Sequence, residues 1–174
     1  SVEDILIRSS NIGSLMIARQ IGEIKLKNFI EKLGLLKVMD FELEEVGQPH
    51  KFKWDKCKLE TISFGHGITT TPLQVAAAYA SMTNGGYMIK PTLKLGKKSN
   101  FENRDSVISN KTSDQINKIL RKVVAEKRGT ASNANISGYE VGGKTGTAKN
   151  YINEKKNINT FISIFPSNEP KYVL

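Results

Sequence analysis

Two short strings carry side chains able to do chemistry. Ser9–Ser10–Asn11 stands immediately before a helical pattern, and Lys144–Thr145–Gly146–Thr147 lies in a strand-like run. A substrate ending in a carboxylate needs a fixed cation and hydroxyl donors, which Lys144, Thr145 and Thr147 supply as charge-assisted bonds. Acyl transfer needs a proton relay to the departing amine, and a hydroxyl near a lysine, Ser9 near Lys144, suits that task. Asn11 offers an amide to grip a substrate backbone. A tetrahedral oxyanion needs preorganised N–H donors, and an edge strand provides one at Thr147. Gly142, Gly143 and Gly146 carry no side chains, so a ligand backbone can lie against this strand. Strict alternation sets Thr145 and Thr147 on one face and Lys144 on the other, so the lysine stem must curl under the strand to reach the same cleft.

Other residues offer competing chemistry. Gly138 to Thr145 fits G-x-x-x-x-G-K-[ST], a nucleotide-phosphate loop in which Lys144 would hold phosphates. That loop needs a buried apolar strand before it and a helix after it. Here Ser132–Ser137 is polar, the residues after Gly146 make a poor helix start, and Phe161–Phe165 ends in Pro166 without a magnesium-binding Asp. His66, between Gly65 and Gly67, could act as a base, but no G-x-S-x-G elbow accompanies it, and a loop bordering the 72–83 helix is the simpler role. His50 beside Pro49 reads as a surface residue, and two isolated histidines make no zinc site. Cys57, flanked by Lys56 and Lys58, reads as an incidental surface thiol. Trp54 and the five tyrosines form no stacking ladder and are assigned to packing.

The elements that must position the two strings follow from periodicity. Ile12, Leu15 and Met16, then Leu26, Phe29, Ile30 and Leu33, predict helices over Ile12–Ile21 and Glu23–Leu33, joined at Gly22 and ended by Gly34. Residues 35–60 carry little signal beyond strand-like alternation at Phe41–Leu43. Thr71–Pro72 opens a helix whose Leu73–Met82 stretch is apolar or small on nearly every face, as in a domain centre. Asn84–Gly85–Gly86 stops it, Tyr87–Leu95 reads as extended, and Lys97–Arg104 as a polar loop. Thr112 and Gln115 make a capping box for a helix striped by Ile116, Ile119, Leu120, Val123 and Val124 and terminated by Gly129. Thr130–Ala131 is then a helix exit. Tyr139–Ala148 and Thr160–Phe165 are strands joined by the loop Lys149–Asn159, and Tyr172–Leu174 begins a third. Strands in sequence with a hairpin-like loop imply an antiparallel sheet with helices packed on it.

Composition narrows the class. The 174 residues amount to one domain or part of one, and 39% hydrophobic with 25% charged residues excludes a disordered tail. No apolar run approaches the roughly 18–20 residues that span a bilayer. One cysteine leaves no disulfide framework and no CxxC pair. The net charge of +9 comes from 21 Lys and only 5 Arg (26 basic residues together), scattered without aromatic interleaving. That is a solvated surface rather than a nucleic-acid site, which favours the arginine fork. Neither end reads as a natural terminus. Ser1 is not a Met and opens no signal peptide, and Lys171–Leu174 is half a strand.

A Ser-x-Asn is expected by chance about once in a chain like this, and a Lys-Thr-Gly roughly 0.1 times, so their order and separation carry the weight. Together with SFGHGITTTPLQVAAAYASMTNGG, RGTA and GGKTGTA, they closely resemble the transpeptidase domain of class B penicillin-binding proteins, nearest the cell-division type. The resemblance covers nearly the whole chain. It implies an α/β (α+β) serine β-lactamase/D,D-peptidase fold, an antiparallel sheet flanked by helices, truncated at both ends, with residues 1–174 a partial domain. It implies a D,D-transpeptidase that cross-links peptidoglycan stem peptides ending in D-Ala-D-Ala during septum synthesis and is acylated by β-lactams. It further implies a periplasmic domain on an inner-membrane anchor outside these residues, working with a division glycosyltransferase and other division proteins. No cofactor, metal, nucleotide or nucleic acid is implied. Residue by residue, Ser9 matches the relay serine, Asn11 the substrate-amide ligand and Lys144 the cation near the substrate carboxylate. Thr145 and Thr147 match the hydroxyls that bind that carboxylate, Gly146 lies between them, and the Thr147 N–H matches an oxyanion donor. The family's nucleophile, the serine of S-x-x-K, has no counterpart, since no Ser here is followed three residues later by Lys. A penicillin-binding sensor or noncatalytic scaffold of the same fold is the alternative reading.

Overall fold

A six-residue helix, α1 (Val2–Ile7), opens the chain where periodicity gives no signal. It forms because Ser1 and Asp4 make a reciprocal capping box, each satisfying the other's backbone N–H. In the computed structural model, residues 1–43, 47, 49, 53–55, 57–95, 105–149 and 156–174 are described. The expected loop at 97–104, the centre of the 149–159 loop, His50 and Lys56 lie outside them.

Helices α2 (Asn11–Ile21) and α3 (Glu23–Lys32) meet at Gly22, whose φ of 84° suits glycine, and Leu33 caps α3 before Gly34. A second six-residue helix, α4 (Lys58–Ser63), packs on α2. No strand forms at Phe41–Leu43, because three alternating residues find no partner strand among the described residues. Helix α5 (Pro72–Thr83) starts as its Thr71 cap and Pro72 require and buries Gln74, Ala77, Ala78, Ser81 and Thr83. Beyond Gly86, Tyr87–Leu95 makes only an isolated bridge, Tyr87 to Ser106, in place of a strand.

Helix α6 (Asn110–Ala125) begins one turn earlier than its apolar stripe indicates. Ser109, not Thr112, is the N-cap, and its hydroxyl accepts from the Thr112 N–H at 3.1 Å. Gly129 does not cap the helix either, since Glu126 does. It is glycine because a Cβ there would collide with the Val123 carbonyl oxygen. A single 3-10 turn at Ser132–Ala134 leads toward the sheet.

Strands β1 (Gly142–Lys149), β2 (Asn157–Phe165) and β3 (Tyr172–Val173) form an antiparallel sheet in that order, with Lys144 opposite Ile162 and Thr147 opposite Asn159. β1 starts at Gly142 rather than Tyr139, because the Val141 carbonyl is taken by Arg121 and the Glu140 carbonyl by the Ser167 N–H, outside any ladder. Helix α6 lies against β1 on one side and α1 on another. Beneath that junction Ile7, Val123 and Val124 are fully buried with Ala131, and Val141 packs on them. A second cluster, Leu33, Ala78 and Val107, joins α3 to α5.

Gln74 ties these helices together. Its amide donates to the Gly34 and Lys37 carbonyls at 3.0 and 2.7 Å, while its oxygen accepts from the Thr71 N–H at 2.9 Å. At 1% exposure it is as enclosed as any core aliphatic. Gln74→Leu strands three backbone groups at once, so a loss of about 2–3 kcal/mol in urea unfolding is expected. Thr71→Ala removes one cap hydroxyl and is expected to cost about 1 kcal/mol. Equal losses for the two would contradict this account.

Candidate active site

The Ser9–Asn11 segment is a helix exit and a helix entry fused into three residues. At the end of α1 the Ser9 N–H bonds to the Leu6 carbonyl and the Ser10 N–H to the Ile5 carbonyl, at 3.3 and 2.9 Å. This double bond is the Schellman closure, whose left-handed residue is usually glycine. Here it is Ser9, with φ of 54°. A non-glycine residue in that region costs roughly 1–2 kcal/mol. Ser10 caps α2 by accepting from the Gly13 N–H at 3.2 Å, and Asn11 follows exposed at the first helical position. The turn is anchored from below. Thr130 N–H bonds to the Ile7 carbonyl, Lys122 pairs with Glu3, and Arg128 bridges Asp4 and Glu126. The Ser1 hydroxyl, with Arg128, holds the Asp4 carboxyl below the usual carboxylate range.

The other half of the site is β1. Lys144 sends its ammonium to Ser9 Oγ at 2.7 Å and to the Thr145 carbonyl at 2.9 Å. The alternation that separates its face from that of Thr145 and Thr147 is overcome by the length of the stem, which curls to the strand's own edge. Burial pushes the Lys144 pKa below the usual lysine range. Thr145 Oγ1 donates to Thr130 Oγ1 at 2.8 Å. Thr130 is therefore part of the site, which its position after a helix conceals and which the RGTA string marks.

The ladder pattern tells which backbone groups are free. Ser163 exchanges both its backbone bonds with Leu174, at 2.9 Å each, so its polar groups face the third strand. Its neighbours Ile162 and Ile164 then face β1, opposite Lys144 and Gly142. The intervening Thr145 and Thr147 turn their N–H and C=O to the opposite edge, which no strand pairs among the described residues. The Lys144 bond to the Thr145 carbonyl lies on that same edge. Gly146 and Thr147 are exposed there.

Two glycine assignments change. A Cβ on Gly142 would sit 3.0 Å from Ser167 Cβ and 3.2 Å from the Arg121 N, and one on Gly143 would sit 2.6 Å from the Phe161 ring. These two are small so that the helix, the Ser167 segment and a ring can close on the strand, not to admit a ligand. A Cβ on Gly146 would meet the Thr160 hydroxyl at 2.6 Å. The phosphate-loop reading also fails, because Lys144 sits inside an antiparallel strand that continues to Lys149. Among the described residues no helix N-terminus follows it to bind phosphate. His66 is exposed in a turn closed by its own N–H on the Thr61 carbonyl, and Cys57 is exposed.

A helix-flanked antiparallel sheet whose edge lysine meets a serine at a helix junction is the architecture of the serine D,D-peptidase fold. The transpeptidase domain of penicillin-binding protein 3 from Burkholderia pseudomallei superposes with a TM-score of 0.89 at 26% identity, covering 98% of this chain and 54% of that one. The family model for the penicillin binding protein transpeptidase domain matches residues 1–174, and the chain belongs to that family. It is similar to the probable peptidoglycan D,D-transpeptidase FtsI of Caulobacter vibrioides, at 36% identity over 96% of this chain. It is also similar to the stage V sporulation protein D of Bacillus subtilis, at 33% identity over 98%. It spans 30% and 29% of the lengths of those two proteins. Among the described residues no helix is long and apolar enough to cross a membrane.

Proposed function

We propose that these residues form the relay and substrate-edge half of a peptidoglycan D,D-transpeptidase. The nucleophilic S-x-x-K segment would be supplied by a part of the same domain outside residues 1–174. The observation that carries this is the 2.7 Å bond from Lys144 to Ser9, two residues 135 positions apart.

The direction of that bond defines the relay. Lys144 donates to Ser9 Oγ, which leaves the serine's own proton free to point into the cleft. When a nucleophilic hydroxyl attacks the carbonyl of a D-Ala-D-Ala bond, its proton would pass to the lysine of the same S-x-x-K, the carbonyl oxygen gains negative charge and the peptide nitrogen must leave as an amine. Ser9 gives its proton to that nitrogen, and Lys144 replaces it. The Thr147 N–H at the open edge meets the oxyanion, while the Thr147 hydroxyl and Lys144 hold the terminal carboxylate, joined by the Thr145 hydroxyl as it turns its proton from Thr130 to the ligand. Asn11 grips the peptide amide. A second stem-peptide amine then takes the acyl group. A β-lactam, whose leaving nitrogen stays tethered, blocks that second step.

The family and the peptidoglycan D,D-transpeptidase relative support the reaction, and we propose in addition a septal role with the catalytic domain outside the inner membrane. Its anchor would lie in another segment, and its partners would be stem peptides, a division glycosyltransferase and other division proteins. A fluorescent penicillin tests the reading. The full-length protein is expected to label covalently, whereas residues 1–174 alone, lacking any S-x-x-K, are expected to take no label. Labelling of the short chain, or none of the full one, would overturn the assignment.

A further inference from the structure

Helix α6 touches both halves of the site, and its contacts with them differ in kind. Its C-terminal half holds the Ser9 turn through apolar packing, with Val123 and Val124 against Ile7. Toward β1 it closes its backbone on Gly142 and packs Val123 and Val124 with Val141, and to this it adds one long polar side chain. Arg121 donates through Nε to Glu140 Oε2 at 3.0 Å and through one terminal nitrogen to Asn135 Oδ1 at 3.0 Å and the Val141 carbonyl at 2.9 Å. The guanidinium side chain is mostly enclosed, at 23% exposure. Its own backbone N lies 3.2 Å from where a Cβ on Gly142 would be.

Residues 135–141 contain no regular element, so nothing in a ladder sets their height relative to the helix. The Glu140 carbonyl accepts from Ser167 N–H at 2.6 Å, and the Tyr139 ring leans on Phe165. Both contacts tie the segment to the region of β2 and the residues after it, not to α6. Of the described hydrogen bonds, those of Arg121 are the ones that join this segment to the helix holding Ser9. The Val141 carbonyl is three residues from Lys144 and continues the edge on which the Thr145 carbonyl lies. Arg121 therefore also closes that edge at its start, and an extended ligand pairs with β1 only beyond it.

We propose that Arg121 is a positioning residue: by gripping Asn135, Glu140 and Val141 it sets the height of β1 on α6 and so the approach of Lys144 to Ser9. This rests on the relay reading above. A planar fork with several fixed donors suits the task, and lysine, a single point donor, can keep only part of it.

The test uses the full-length protein and two readouts. Arg121→Met is expected to slow penicillin acylation at least tenfold and to speed amide exchange across Gly143–Thr147 at least tenfold, with exchange in α1 unchanged. Arg121→Lys is expected to recover part of both through Glu140. Ser109→Ala, which removes the α6 cap far from β1, is the stability control and should lower Tm while leaving acylation within twofold. If Arg121→Met does not fold, Glu140→Gln and Asn135→Ala each remove one arm and should raise β1 exchange by a smaller factor. Unchanged β1 exchange in all these variants, or an equal acylation loss in Ser109→Ala, overturns the proposal. If the unmodified protein takes no penicillin, the transpeptidase reading falls, and the exchange measurement still decides what Arg121 does.

Discussion

Replacing Lys144 with Met in the full-length protein is expected to slow penicillin acylation by about a thousandfold, with the fold retained. Two contributions combine. Loss of a positioned acid typically costs about 10²–10⁴-fold, and loss of a charge-assisted contact to a carboxylate about 1.5–3 kcal/mol. Lys144→Arg keeps the charge but not the point donor, so it is expected to bind the carboxylate and still relay poorly. The pH dependence follows from burial. Lys144 holds its proton less tightly than an exposed lysine, so the rate should begin to fall at a pH below the ordinary lysine range, as the relay donor is lost. Stability carries the opposite sign. In that window the unfolded chain binds the lysine proton and the folded chain does not, so stability rises with pH from the depressed value to the ordinary one. In Lys144→Met both slopes disappear. A variant that acylates within tenfold of the parent would remove Lys144 from the mechanism.

The sequence makes the larger elements and the central pair legible, and its silences have physical causes. Helices α2, α3 and α6 are long enough for a 3.6-residue stripe to show, α5 is marked by its Thr71–Pro72 start, and β2 carries the apolar run Phe161–Phe165. Helices α1 and α4 have six residues each, too few for a period to be read. Helix α1 also lacks the glycine stop that betrays α2 and α3, because serine occupies that place. Thr112 misleads as a cap because Ser109, one turn earlier, offers the same chemistry and only the fold chooses between them. The glycines of β1 are the instructive case. A small residue on a strand reads as room for a ligand, whereas Gly142 and Gly143 are filled from within by Arg121, Ser167 and Phe161. Ser9 and Lys144 could be paired in advance because their chemistry needs each other. Thr130, Gln74 and Arg121 could not, because their partners are backbone groups or side chains that only tertiary packing brings near.

The serine at the α1 exit makes a further prediction, in which stability and activity part company. Ser9 pays for its φ of 54° with strain that glycine would not carry. Ser9→Ala keeps the strain and loses the Lys144 partner. Ser9→Gly loses the partner but relieves the strain, less about 0.5–1 kcal/mol for the freedom glycine adds to the unfolded chain. The glycine variant is thus expected to be about 1 kcal/mol more stable than the alanine variant by urea unfolding. Both are expected to acylate about 10²–10⁴-fold more slowly than the parent, because neither can hand a proton to the leaving nitrogen. A Schellman closure built for stability alone would place glycine at this position. Keeping serine there is the arrangement of a site whose hydroxyl must be held in one orientation toward Lys144, with the strain part of how it is held. If Ser9→Gly proves less stable than Ser9→Ala, the strain is not real; if either acylates at the parental rate, the relay does not run through Ser9.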